Sequence, residues 1–121
     1  MLTGQFKSPN DLPQADHRRL FPRFQPENFY INLELVEKVK GLAARKGCTP
    51  SQLALGWCVA LSRRPGMPVI VPIPGATMKE RVRENAAVVE LSDWEMAEIE
   101  EILGKFKVAG GRWPAGLPVN T

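Results

Sequence analysis

Three side chains able to bind an anionic ligand share one face of a helical stretch. Arg81, Glu84 and Asn85 stand at positions i, i+3 and i+4, and residues with these spacings are neighbours on a helix surface. A guanidinium donates paired hydrogen bonds to a phosphate, while a carboxylate and an amide can bind the edge of a base or a ribose. The spacing predicts a nucleotide site, although it equally fits a solvated Arg81–Glu84 ion pair that binds no ligand.

The elements around these residues suit such a site. The apolar run VIVPI at residues 69–73 predicts one buried strand, and Pro74-Gly75 follows it as a turn. Thr77 and Glu80 form the pattern of a capping box, which predicts a helix from about Met78 to Val89. A strand that leads into a helix through a glycine turn directs unpaired N–H groups at an anion. The prolines within the run weigh against the strand, because proline cannot donate to a ladder.

The rest of the chain predicts helices joined by irregular segments. Capping boxes at Thr49–Gln52 and Ser92–Glu95 mark two helix starts. The predicted helices lie at about Asn32–Lys46, about Pro50–Ser62 and from Ser92 to Gly104. Residues 1–29 are expected to form a long loop, in which His17, beside Arg18 and Arg19, is a solvated side chain. Residues 105–121 are expected to form an irregular C-terminal tail.

Composition places the chain among globular proteins. Its 121 residues suffice for one domain, and 44% hydrophobic with 24% charged residues is not a disordered composition. The net charge of +3 suits an anionic cofactor. The charges are dispersed, so nucleic-acid binding is not indicated, and a helix–turn–helix at Lys46–Thr49 is disfavoured because its second helix is too apolar.

Cysteine usage and the lack of targeting patterns favour the cytosol. Cys48 and Cys58 have neither metal nor redox spacing, so both are expected to be buried free thiols in a reducing compartment. The sequence shows no secretory signal and no apolar stretch of membrane-spanning length. We therefore expect a cytoplasmic protein without a membrane partner.

Three segments together resemble the aldo-keto reductase family. They read PRFQPENF, TPSQLALGW and PGATMKERVREN, and they occur in the family's order. The resemblance extends from Leu2 to about Leu103. It implies an α/β fold, namely the C-terminal portion of a TIM (β/α)8 barrel, mostly helical with one barrel strand. Other barrel strands would then be expected upstream.

The resemblance also implies a cofactor and roles for particular residues. An Arg-x-x-Glu-Asn triplet in this family binds the adenosine 2′-phosphate and adenine of NADP, which implies these roles for Arg81, Glu84 and Asn85. Gly75, Ala76 and Thr77 would line the phosphate end. Many relatives carry a lysine where Gly75 stands, so Arg81 would be the main charged contact for the 2′-phosphate.

The chemistry that the resemblance implies is incomplete in this chain. The family reduces small carbonyl substrates by hydride transfer from the nicotinamide, supported by tyrosine, lysine, aspartate and histidine. The only tyrosine, Tyr30, stands where the family has no catalytic group. The chain alone is therefore expected to be inactive, as a partial aldo-keto reductase domain.

A second interpretation remains open beside the first. The helices could form a small bundle that acts as a protein-interaction module without catalysis. In that case the VIVPIP run would be an extended linker rather than a strand. A soluble monomer that melts cooperatively would favour the module.

Overall fold

Four α-helices are the main regular elements of the described chain. The computed structural model describes residues 1–116. The helices are α1 (Pro26–Lys46), α2 (Pro50–Leu61), α3 (Lys79–Ala86) and α4 (Asp93–Lys105). Three short 3-10 helices precede them, at Pro9–Asp11, His17–Leu20 and Pro22–Phe24.

Local capping signals account for the starts of α2 and α4. The Thr49 hydroxyl accepts from the Gln52 N–H, while the Gln52 side chain accepts from the Thr49 N–H. Ser92 and Glu95 form the same reciprocal pair at α4. Both predicted boxes are therefore present, and they satisfy N–H groups that a helix start otherwise leaves without partners.

Helix α1 begins six residues before the predicted start at Asn32, so the end of the predicted 1–29 loop is helical. Pro26 occupies the first helical turn, where its missing N–H and fixed φ are favourable. The residue before it, Gln25, makes no side-chain cap, which left the start without its usual sequence signal. The helix ends as predicted at Gly47, whose φ of 73° is left-handed.

The core lies where α1, α2 and α4 meet. Leu42, Ala43, Leu53 and Ile99 are buried together, and Trp57 packs against them as expected of a core side chain. Ion pairs join the end of α1 to α4: Arg45 binds Glu98, and Lys46 Nζ lies 2.9 Å from Glu95 Oε2. Hydrophobic burial and these pairs fix the helices relative to one another.

A buried amide connects α1 to the irregular C-terminal segment. Asn32 is 3% exposed. Its Nδ2 donates to the Ala109 carbonyl at 2.9 Å, and its Oδ1 accepts from the Ala109 N–H at 2.9 Å. The part of the 105–121 tail from residue 106 to 116 is irregular, and Lys105 still belongs to α4. The remainder of the predicted tail, 117–121, lies outside the described residues.

The predicted barrel strand is wrong for this structure. Residues 68–76, here called the extended segment, carry no strand hydrogen bonds, and residues 1–116 contain no strand at all. Val69, Val71 and Ile73 are 84%, 75% and 91% exposed. The physical reason is that a strand needs a neighbour to bind its backbone groups. The family's barrel is therefore represented here by a helical portion.

Both cysteines are free, as predicted, but each is half-buried rather than fully buried. Burial raises the pKa of the Cys48 thiol. Within residues 1–116, none of the helices combines the length and apolar character that crossing a bilayer requires.

Candidate functional site

A cavity of about 650 Å³ lies beside the N-terminal end of α3. Its walls come from the start of the chain, from α2, from the end of the extended segment and from α3. The lining residues are Leu2, Thr3, Gln5, Arg18, Ser51, Ala54, Leu55, Pro74, Gly75, Ala76, Thr77, Met78, Arg81 and Asn85. The volume falls in the range typical of small-molecule sites.

Five of the six predicted cofactor residues line this cavity. Gly75, Ala76 and Thr77 lie at its edge, between the extended segment and α3, and Arg81 and Asn85 reach it from α3. These residues come from two neighbouring elements, and the structure brings them to one space. Glu84, the sixth, is not part of the lining.

The predicted Thr77–Glu80 capping box is wrong. Helix α3 begins at Lys79 with Met78 at the N-cap, and no side chain caps it. Glu80 is therefore the second helical residue instead of the third, and Thr77 lies one residue outside the cap. The sequence predicts that this helix extends to Val89, but in the structure it ends at Ala86.

The absence of a cap leaves donors available at the cavity. Within residues 1–116, the backbone N–H groups of Lys79, Glu80 and Arg81 make no hydrogen bond. Unpaired N–H groups and the positive end of the helix dipole favour an anion. A Thr77–Glu80 capping box would have used some of these donors. Because α3 starts at Lys79 without a capping side chain, they remain available to an anion.

Glu84 connects Arg81 to the start of α2. Its Oε2 accepts from Arg81 Nη1 at 3.1 Å, and its Oε1 accepts from the Thr49 hydroxyl at 2.7 Å. The Glu84 backbone carbonyl accepts from Gln52 Nε2 at 3.3 Å. The i,i+3 ion pair considered at the outset thus exists, and its carboxylate is anchored to a second helix. Both the ligand-binding and the solvated-pair interpretations are compatible with this contact.

A second arginine reaches the same cavity, and the sequence interpretation missed it. Arg18 lines the cavity, although the sequence analysis assigned it no role. Its Nε lies 2.9 Å from Asp16 Oδ1, and its Nη2 lies 2.5 Å from Asp16 Oδ2. The guanidinium carbon also sits 4.7 Å from the centroid of the Phe6 ring. These contacts hold the side chain in place.

The charges of the cavity favour an anionic ligand. Two guanidinium groups line it, and its lining contains no aspartate or glutamate. Hydrogen bonds from Arg18 lower the pKa of Asp16 to about 2, so the carboxylate stays ionised and the pKa of Arg18 is raised. Each arginine keeps N–H groups that its carboxylate partner does not use, because a guanidinium has five.

Other chemistry is less well supported by the described residues. Tyr30 lies in α1, is 55% exposed, and does not line the cavity. No group of three or more histidine, cysteine, aspartate or glutamate residues within 1–116 is arranged to hold a metal. The site as described offers binding groups for an anion.

Comparison with known proteins decides the family. Residues 1–104 match the profile of the Aldo/keto reductase family. The chain belongs to this family. It is 44% identical over 117 residues to aldo-keto reductase yakc of Schizosaccharomyces pombe, whose name includes NADP(+). That match covers 95% of this chain and 33% of the relative.

Two further aldo-keto reductases are similar over nearly the whole chain. Aldo-keto reductase str7 of Strobilurus tenacellus is 32% identical, with 93% of this chain and 32% of the relative covered. An aldo-keto reductase of Gibberella moniliformis is 34% identical, with 89% and 32% covered. The chain thus spans about one third of the length of these relatives. No solved structure shows a significant match.

Proposed function

We propose that this chain forms the adenosine end of the NADP(H) site of an aldo-keto reductase. The observation that carries the proposal is the convergence of Gly75, Ala76, Thr77, Arg81 and Asn85 on one cavity beside the uncapped start of α3. Guanidinium groups, free backbone N–H groups and an amide are the donors that a phosphorylated adenosine requires. The residues present therefore fit this end of the cofactor.

Each site residue has a distinct proposed role. Arg81 and the free N–H groups of α3 bind the 2′-phosphate, which selects NADP over NAD. The Asn85 amide hydrogen-bonds to the edge of the adenine. Gly75, together with Ala76 and Thr77, lets the backbone approach the phosphate closely. Glu84 positions Arg81 through its carboxylate and has no ligand contact of its own. Arg18 supplies the second positive charge at a site where Gly75 stands in place of a lysine.

The proposed activity of the complete enzyme is reduction of a small carbonyl compound to an alcohol. The bound cofactor supplies the hydride for that reaction. The chain's own residues bind and orient the adenosine end, and no group described here is placed to transfer a proton to a substrate. We therefore expect this chain alone to bind nucleotide without turnover, and the extended segment to pair with further barrel strands.

Nucleotide titrations test the binding role. Isothermal titration calorimetry with adenosine 2′,5′-bisphosphate and with 5′-AMP measures the contribution of the 2′-phosphate. Arg81→Leu should reduce the preference for the bisphosphate about tenfold or more, because a hydrogen bond to a charged group is worth about 1.5–3 kcal/mol. Arg83→Leu is the matched control, since Arg83 is exposed on the same helix and does not line the cavity.

Two results would contradict the binding role. One is equal affinity of the unaltered chain for the two nucleotides. The other is an identical loss in both arginine variants, which would indicate a general effect of charge. Separately, NADPH oxidation in the presence of an aldehyde should not exceed the protein-free rate, and robust turnover would refute the expected inactivity.

The interaction-module alternative retains one supporting observation. The extended segment is unpaired, as a linker would be. That alternative predicts no measurable affinity for adenosine 2′,5′-bisphosphate, so the same titration separates it from the cofactor site.

A further inference from the structure

Asp16 holds Arg18 at the wall of the nucleotide cavity without lining the cavity itself. Arg18 Nε donates to Asp16 Oδ1 at 2.9 Å, and Arg18 Nη2 donates to Asp16 Oδ2 at 2.5 Å. Oδ1 also accepts from the Arg18 backbone N–H at 2.9 Å, which caps the short 3-10 helix His17–Leu20. The paired side-chain contact fixes the plane of the guanidinium as well as its position.

The contact with Asp16 leaves other donors of the guanidinium available. Within residues 1–116, Arg18 Nη1 makes no hydrogen bond, because the carboxylate accepts only from Nε and Nη2. The Phe6 ring lies 4.7 Å from the guanidinium carbon and covers one face of the group. The Asp16 side chain is 15% exposed and that of Arg18 is 43% exposed. The carboxylate is therefore the shielded member of the pair, and the guanidinium is the member that a ligand can reach.

Asp16 has two opposite effects on an anion in the cavity. Its negative charge repels the anion. Its hydrogen bonds fix an arginine side chain that would otherwise sample many rotamers, so less conformational entropy is lost when the ligand binds. The two effects predict changes of opposite sign when the charge of Asp16 is removed.

We propose that Asp16 is a positioning residue, which orients Arg18 so that its Nη1 donors bind a phosphate of the nucleotide. The inference rests on the proposed nucleotide site and adds the residue that maintains the second positive charge of that site. Asp16 makes no contact with the ligand and acts only through Arg18. Its positioning effect outweighs its repulsion of the anion, because the carboxylate is the shielded member of the pair and already neutralised by two hydrogen bonds from the guanidinium.

Calorimetric titration with adenosine 2′,5′-bisphosphate tests the positioning role. Asp16→Asn keeps a side chain able to cap the 3-10 helix, yet it should weaken binding at least about threefold, whereas loss of a negative charge alone would strengthen binding. In a chain that carries Arg18→Leu, Asp16→Asn should have no further effect, because the two residues act as one unit. In ¹⁵N NMR spectra the Arg18 Nε–H resonance should shift when the bisphosphate is added, and Asp16→Asn should speed the exchange of this proton with water.

Asp11→Asn is the matched control. Asp11 lies in the same N-terminal segment and accepts from the Lys7 and Ser8 N–H groups, but it does not line the cavity. This variant should change the affinity much less than Asp16→Asn does.

Three results would overturn the inference while leaving the site at Arg81 intact. They are unchanged or increased affinity in Asp16→Asn, an equal loss in Asp11→Asn, and an undiminished effect of Asp16→Asn in the Arg18→Leu chain. Failure of the unaltered chain to bind the bisphosphate would instead refute the proposed nucleotide site, and this inference with it.

Discussion

Replacement of Thr49 by alanine tests the link that holds α3 against α2. The Thr49 hydroxyl accepts from the Gln52 N–H at 3.2 Å and donates to Glu84 Oε1 at 2.7 Å. The first bond caps α2, and the second joins two helices beside the cavity. We expect Thr49→Ala to remove both contributions, and Thr49→Ser to preserve them.

The expected cost follows from these two bonds. Loss of a helix cap costs about 1 kcal/mol. A hydrogen bond to a carboxylate is worth about 1.5–3 kcal/mol when well shielded. Because the Glu84 side chain is 22% exposed, we reduce this second contribution to about 1 kcal/mol. Thr49→Ala should therefore lower the free energy of unfolding by about 2 kcal/mol.

A second capping residue provides the matched control. Ser92 forms the same type of capping box at α4. Within residues 1–116, its hydroxyl forms hydrogen bonds only with Glu95 of that box and joins no second helix. Ser92→Ala should cost only about 1 kcal/mol, because the bond that its hydroxyl donates to Glu95 Oε2 is exposed to solvent, unlike the Thr49–Glu84 bond. Urea denaturation followed by circular dichroism measures both variants, and a double-mutant cycle of Thr49→Ala with Glu84→Ala isolates the interhelical bond.

One result would contradict the proposed contribution of the Thr49–Glu84 hydrogen bond to stability. Equal destabilisation by Thr49→Ala and Ser92→Ala, together with a coupling energy near zero, would show that the Thr49–Glu84 bond contributes nothing. Because Glu84 positions Arg81, Thr49→Ala should also reduce the preference for adenosine 2′,5′-bisphosphate over 5′-AMP.

Two further predictions concern packing and pH. A Cβ added to Gly56 would collide with the Val89 carbonyl oxygen, whereas nothing lies near Gly41 in α1. Gly56→Ala should therefore lower the melting temperature, and Gly41→Ala should raise stability by about 0.5–1 kcal/mol; calorimetry measures both, and equal effects would contradict the packing. Hydrogen bonds from Lys46 and Ser92 lower the pKa of Glu95 to about 2. Ionised Glu95 therefore stabilises the fold above its unfolded pKa of about 4.3, and this stabilisation is lost as the pH falls towards 2. Glu95→Gln should lower the free energy of unfolding at pH 7 and have progressively less effect between about pH 4.3 and pH 2. A difference that does not change with pH would refute this.

Local signals predicted the helices better than they predicted the sheet. Thr49–Gln52 and Ser92–Glu95 each bring both members of a cap within one turn, so adjacent sequence alone determines them. The run at residues 69–73 has the composition of a strand, but pairing depends on residues far away in sequence or outside the chain. The start of α1 was missed because Gln25 does not cap it.

The candidate site likewise contains residues that adjacent sequence could predict and one residue that it could not. Gly75, Ala76, Thr77, Arg81 and Asn85 are close in sequence, and a short bend followed by a helix suffices to bring them to one cavity. Arg18 is far from them along the chain, and no local pattern around it indicates a binding role. Its position results from Asp16 and Phe6, whose contacts appear only in the folded chain.

The site residues do not require a paired strand to converge. Glu84 is bound to Thr49 through its carboxylate and to Gln52 through its backbone carbonyl. These bonds fix α3 against α2, and Arg81 then reaches the cavity wall through its own bond to Glu84. Because both anchors lie at the start of α2, the proposed adenosine site can persist while the extended segment is unpaired. Nucleotide binding should accordingly be weakened by Thr49→Ala and left unchanged by Val71→Pro, which alters only the exposed extended segment.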